Sequence, residues 1–342
     1  MEEKVKEKFT SIGGQAVLEG VMMRSPNFIA VAVRKPDQKI AVKFYPYKPW
    51  SKTYPILAKP FLRGILMLVE SMIQGMKALS YSAQASGQEE GQEELSKVAI
   101  IGSMAFAFVM GMLLFVALPH GLTALLTSDR FLAISADSPL FHLLDGIFKM
   151  FIFIGYIWLI SRMNEIKRVF QYHGAEHKSI YAFEAGKPLE IGDAQKFTTL
   201  HPRCGTSFLL FLILISIVMF SVMLPLLGLT HFSDVAILNH LGMIVAKIIL
   251  MFPVAGIAYE FIKVCAFRMD SKIFRALIWP GLMLQKLTTI EPANDQMEVA
   301  LVSLRQVLFL EKTNATASGE IIVSGLSDVG GVSAAVTEFL EA

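Results

Sequence analysis

The sequence predicts a mainly α-helical membrane protein: about four transmembrane helices, a small cytoplasmic N-terminal β-containing region, and amphipathic interfacial helices. Three observations predict it. Of 342 residues, 54% are hydrophobic and only 18% charged, and the mean hydropathy of +0.53 lies outside the range of an ordinary water-exposed domain. Four segments, 98–126, 140–160, 206–229 and 241–259, are apolar over the roughly 20 residues that a helix needs to cross about 30 Å of hydrocarbon. Lysine and arginine then alternate between the connecting segments. The first 97 residues hold 14, the turn 127–139 holds one, the loop 161–205 seven, the turn 230–240 none, and the residues after 260 seven. Cytoplasmic segments retain positive charge, so this alternation places both termini and the central loop in the cytoplasm.

Composition also excludes several classes. A balance of 31 basic against 29 acidic residues, net +2, leaves no excess to drive counterion release from nucleic acid. Two cysteines, Cys204 and Cys265, cannot staple a secreted scaffold. The charged opening MEEKVKEKFT lacks the apolar core of a secretory signal.

Taken in order, residues 1–59 form a glycine-rich stretch followed by a β-hairpin. The apolar alternation at 28–33, the turn Arg34-Lys-Pro-Asp-Gln-Lys and the second run at 40–45 read as strand, turn and strand. Residues 60–82 have apolar positions at helical spacing with Arg63, Glu70 and Lys77 between them, an amphipathic helix on the bilayer surface or under the sheet. Residues 83–97 are a polar linker, and 98–260 the four-helix region with its cytoplasmic His/Cys loop at 161–205. Within the spans, Asp145 and Lys149 stand four apart and neutralise one another, whereas Lys247 has no local partner. Glu260 pairs with Lys263 or sits among headgroups. Residues 261–312 hold interfacial and amphipathic helices, with Trp279 at the membrane boundary and Pro280-Gly281 interrupting a helix. The Gly-, Ser-, Ala- and Thr-rich tail 313–342 reads as disordered.

Chemistry concentrates in Tyr172-His-Gly-Ala-Glu-His-Lys-Ser. His173 and His177, four apart, share one helix face and can hold one cation, with Glu176 beside them. His-x-x-Glu-His is the inverted zinc-hydrolase pattern, in which the histidines bind metal and the glutamate activates water. Gly174 and Ala175 keep that surface small enough for a substrate or second polypeptide to approach. The loop closes on His201-Pro-Arg-Cys204, near the same membrane edge, so imidazole and thiolate complete a set that suits zinc first and iron as the alternative. The competing reading is of interfacial histidines that bond headgroups or backbone carbonyls. In residues 11–26, Glu19 reaches the histidines as a further ligand or orienting group, or else is a solvated residue of a glycine-bounded strand together with Arg24.

The motifs GGQAVLEGVMMRSP, YHGAEHKSIYAFEAG, HPRCGTSFL and WPGLMLQKLTTIEPANDQMEVAL together resemble the YqhQ-like family of bacterial integral membrane proteins, over about residues 12–308. The resemblance implies a multi-pass protein of the bacterial inner membrane and, at most, a metal-dependent enzyme. On that expectation His173 and His177 bind metal with His201 or Cys204, Glu176 is the base, and Arg24 or Arg203 stabilises an oxyanion. The substrate is membrane-associated. The alternative is a transport or scaffolding protein with a structural metal site or none, which leans on homo-oligomerisation because four spans leave little room for a pathway.

Overall fold

A computed structural model describes residues 12–87, 97–313 and 318–329. The residue Ser11, most of the polar linker and most of the tail lie outside the described residues.

The N-terminal stretch is all strand: β1 (Gly13–Val17), β2 (Gly20–Arg24), β3 (Phe28–Arg34) and β4 (Ile40–Pro46). After two short turns the chain enters α1 (Leu62–Ala85). Helix α2 (Lys97–Met112) passes through one wide turn at Leu113–Ala117 into α3 (Leu118–Leu126). Then follow α4 (Pro139–Ile160), α5 (Asn164–Glu184), α6 (Gly205–Leu226), α7 (Ala236–Phe267), α8 (Lys272–Thr288) and α9 (Asn294–Thr313). The segment expected to be a structureless tail instead contributes β5 (Gly319–Val323), which pairs antiparallel with β4 from Ile40↔Val323 to Phe44↔Gly319. The result is a five-stranded antiparallel sheet in sequence order.

Both faces of this sheet are covered, which is why FIAVAVR in β3 is buried at every position. Side chains alternate across a strand. Val21, Met23, Phe28, Ala30, Ala32, Ile40 and Val42 pack with α9 and α5 on one face. Met22, Ile29, Val31, Val33 and Ala41 meet Ala78 and Tyr81 of α1 on the other. Helix α1 therefore lies under the sheet, and its N-terminal part crosses α7 where Gly64 and Gly256 permit close approach. There Arg63 pairs with Glu260, in place of the Lys263 or headgroup contact read from the sequence. Helix α9, read as amphipathic, is buried on nearly its whole circumference between sheet and α5.

Four helical segments are long and apolar enough to cross a membrane: Ala105–Leu126, Pro139–Ile160, Gly205–Leu226 and Ala236–Phe267. Consecutive ones run antiparallel. Phe115 meets Phe153 and Tyr156 while His120 meets Phe141; Phe153 meets Leu210 and Ile213 while Gly146 meets Ile217; and Phe211 packs with Ile262 while Phe220 and Leu224 pack with Ala246. Helix α8 leans on α6 and runs unbroken through Pro280-Gly281. A Cβ at Gly281 would lie 2.9 Å from Phe211 and Ser207, so this glycine sets the α6–α8 contact, where the sequence reading expected a break.

If α9 is the hub of the core, its truncation costs more than loss of a side chain on the apolar outer face. Leu304→Ala, at a fully buried site, is expected to lower unfolding free energy by about 2–5 kcal/mol, measured on detergent-purified protein. Leu118→Ala, at a site 43% exposed, is expected to stay within about 0.5 kcal/mol, and equal losses would refute the assignment of the core.

Candidate metal centre

On α5, residues 173, 176 and 177 fall on one face because i, i+3 and i+4 stack along a helix. That face meets the start of α6, where Cys204 is the N-cap residue. The backbone leading to it is pinned by Gln285 of α8, which is fully buried. Its Oε1 accepts from His201 N at 2.7 Å, and its Nε2 donates to His201 O and to Ser207 Oγ, each at 2.7 Å.

These constraints bring His173, His177 and Cys204 together, with one ligand-capable atom of each lying within 4.8 Å of the others. Cys204 Sγ is 3.2 Å from His173 Nε2 and 3.1 Å from Thr206 Oγ1. The two imidazole centroids are 4.4 Å apart. Each ring is oriented from behind by a backbone carbonyl: Thr288 O lies 2.8 Å from His173 Nδ1, and Thr199 O accepts from His177 Nδ1. A carbonyl only accepts, so both Nδ1 atoms carry hydrogen and both Nε2 atoms face the thiol side. That is how metal-ligating histidines are held. Glu176 Oε2 is 4.0 Å from His173 Nε2. Its side chain passes over Gly14 of β1, where a Cβ would come within 2.6 Å of Glu176 Cγ.

The small surface at Gly174 receives a polypeptide, but from the same chain. Residues 288–290 cross α5 there, Ile290 N donates to Phe170 O at 3.0 Å, and a Cβ on Gly174 would overlap the Ile290 carbonyl.

Electrostatics favour a thiolate. Burial pushes the Cys204 thiol up, but the charge and hydrogen bonds of His173 and His177 outweigh it and bring Cys204 well below its ordinary value. Burial likewise opposes charge on His173, yet Cys204, then Glu176 and the Thr288 carbonyl, raise it to about 9. Both shifts favour the thiolate and imidazolium forms of the pair.

The remaining residues named from the sequence are placed elsewhere. His201 adjoins His177 at 5.4 Å between centroids, but its Nδ1 accepts from Arg203 N at 3.3 Å and its Nε2 faces Glu184 at 3.7 Å. Burial, followed by His177, lowers it to about 4. Arg203 is itself paired with Glu184. Glu19 occupies the β1–β2 turn at φ +51 and holds Arg168, with Tyr172 Oη at 3.3 Å; it anchors α5 one turn ahead of His173. Arg24 lies over the ring of Tyr47, 5.6 Å from its centroid. Gln285 and the carbonyls of Thr199 and Thr288 were not singled out from the sequence; the carbonyls are backbone atoms, and a lone glutamine in an apolar helix carries no motif.

A tetrahedral site with bonds of about 2.1 Å to nitrogen and 2.3 Å to sulfur separates neighbouring ligand atoms by about 3.5 Å. Two oriented imidazoles and a thiolate whose ligand atoms lie within 4.8 Å of one another could close around such an ion, and the donor set suits zinc or iron over magnesium or calcium.

Comparison with known proteins agrees on the extent of the chain that matters. A family described as "Protein of unknown function (DUF1385)" matches residues 59–309, which include every residue of the cluster. "Uncharacterized protein YqhQ" of Bacillus subtilis (strain 168) is 33% identical over 313 residues, covering 87% of this chain and 92% of its own length. No solved structure matches.

The ion pair with Cys204 requires the His173 imidazolium, which is lost as pH rises through about 9. Metal-stripped protein is therefore expected to lose stability as pH rises through about 9, and His173→Gln to flatten the loss. A profile identical in His173→Gln would refute the ion pair.

Proposed function

We propose that this chain, which belongs to the DUF1385 family, is a multi-pass protein of the bacterial inner membrane whose cytoplasmic-facing centre performs metal-dependent hydrolysis on a membrane-associated substrate. The observation that carries the reading is the convergence of His173, His177 and Cys204 with the Glu176 carboxylate 4.0 Å from a ligand nitrogen.

Two independent features support the topology. One is the alternation of basic residues described above. The other is covalent connectivity: β4 precedes the four apolar helical segments and β5 follows them, yet the two strands pair in one sheet. A hydrogen-bonded sheet cannot be assembled from opposite sides of a bilayer, so the number of crossings between β4 and β5 is even. Four satisfies this, with sheet, α5 and α9 on the cytoplasmic side.

Zinc is the first choice of metal and iron the alternative; when bound, the ion supplies Lewis acidity and an acidified water. The chain supplies the rest. His173 and His177 hold their ring orientation through the Thr288 and Thr199 carbonyls, Cys204 adds the anionic ligand, and Glu176 accepts the water proton as base. Arg24 and Arg203 are engaged with Tyr47 and Glu184, so neither is given the oxyanion role in this reading. The centre lies at the membrane-edge start of α6, which favours an amphiphilic substrate.

A second reading has burial on its side. His177, Cys204 and Glu176 are each no more than 6% exposed, as expected of a structural ion that clamps α5 to the start of α6 in a scaffolding protein.

Elemental analysis of the purified protein is expected to find close to one zinc or iron per chain, lost in His177→Ala and Cys204→Ala. Absence of metal from protein purified without chelator would overturn both readings. Glu176→Gln is expected to keep the metal and abolish hydrolysis of lipid or peptide substrates; unaltered hydrolysis would leave Glu176 no catalytic part. Gly14→Ala should mimic it, since the atoms nearest the new methyl group all belong to the Glu176 side chain, which it displaces.

A further inference from the structure

The apolar helices carry a second polar group that the proposed hydrolysis does not use. Lys247 of α7 is 1% exposed and donates to Asp145 Oδ2 of α4 at 2.7 Å and to His120 Nδ1 of α3 at 3.1 Å. The other ring nitrogen of His120 lies 3.0 Å from Nδ1 of His240, near the start of α7. Lys149, one turn along α4, stands 4.0 Å from Asp145 with its ammonium over the Phe220 ring of α6. His142 completes the group, and neither of its ring nitrogens nor Asp145 Oδ1 has a hydrogen-bond partner among the described residues. His120, His142, Asp145, Lys149 and Lys247 are all buried, whereas His240 is partly exposed. Helix α6 contributes no ionisable residue.

The position separates this group from the metal centre. Gly146, next to Asp145, packs on Ile217, which is 13 residues along α6 from Cys204. At 1.5 Å per residue that is about 20 Å. His240 lies further still, at the end of the bundle where α4 and α7 begin.

Charge balance then limits what the group can be. Two lysines face one aspartate inside an apolar bundle, and an uncompensated charge there is costly. A proton can leave Lys247 through His120, whose Nδ1 facing the amine accepts it while Nε2 facing His240 gives one up. Chains of carboxylates and imidazoles inside a membrane mark proton relays.

We propose that Lys247 and Asp145 form a reversible proton-loading site, reached through His240 and His120 from the end of the bundle opposite the metal centre. In loading, His240 takes a proton from water and passes its Nδ1 proton to His120 Nε2. His120 releases its Nδ1 proton to the lone pair of Lys247 Nζ, and the ammonium formed faces Asp145 Oδ2. The net change is one proton moved from water to Lys247, and unloading is the reverse. Because the ion pair joins α4 to α7, loading is coupled to how these helices pack. The proposal does not depend on the metal reading.

The test uses full-length protein in liposomes, jumped from alkaline to neutral pH and followed with a pH indicator in the bulk water. Wild type is expected to take up about one proton per chain more than Lys247→Arg, which keeps the charge and the ion pair but cannot lose its proton. His120→Gln and His240→Gln are expected to slow that uptake while leaving its final amount. Equal uptake by wild type and Lys247→Arg would overturn the site, and unchanged rates in both histidine variants would overturn the route.

Discussion

The crossing of residues 288–290 over α5 is the contact on which the candidate metal centre depends. Ile290 donates to Phe170 O, its own carbonyl occupies the space where Gly174 lacks a side chain, and two residues earlier the Thr288 carbonyl orients His173. The same crossing delivers the chain from α8, whose Gln285 pins His201 and the first turn of α6, into α9, which fills the space between α5 and the sheet. Because peptide backbones meet directly here, little freedom remains: any side chain at Gly174 must move the Ile290 carbonyl, two residues along the chain from the Thr288 carbonyl that orients His173.

That arrangement also explains how a thiolate survives burial. Cys204 is 6% exposed, and an isolated buried anion would take up a proton. Two imidazoles directed at it reverse the balance, with the first turn of α6 adding the positive end of a 22-residue helix. The group among the apolar helices about 20 Å away solves a related problem differently, by bringing lysine, aspartate and imidazoles together from three helices.

The four long apolar helices were legible because apolar length is a local property, and so was the β3–β4 hairpin, whose alternation and turn are contiguous. His173, Glu176 and His177 were legible from helical spacing, and Cys204 from the scarcity of cysteine. What escaped was carried by long-range geometry. The Glu-Ile-Ile-Val run of β5 sits in a Gly- and Ser-rich segment and becomes a strand only because β4 offers an edge. Lys247 looked unpartnered because Asp145 and His120 lie on other helices. Glu19 and His201 were near the right elements, but a nearby arginine and a backbone amide engaged them, and no sequence spacing encodes that competition. The carbonyls behind the histidines are anonymous in any sequence.

The β4–β5 pairing bears on how the molecule is made. Strand β4 is synthesised before any apolar helix, whereas its neighbour arrives only after all four have been placed. Throughout that interval the sheet presents an unpaired edge at Ile40–Phe44, the kind of surface that recruits foreign strands. Arrival of β5 closes that edge: a chain interrupted anywhere among the apolar helices leaves it open, while a chain that includes β5 covers it.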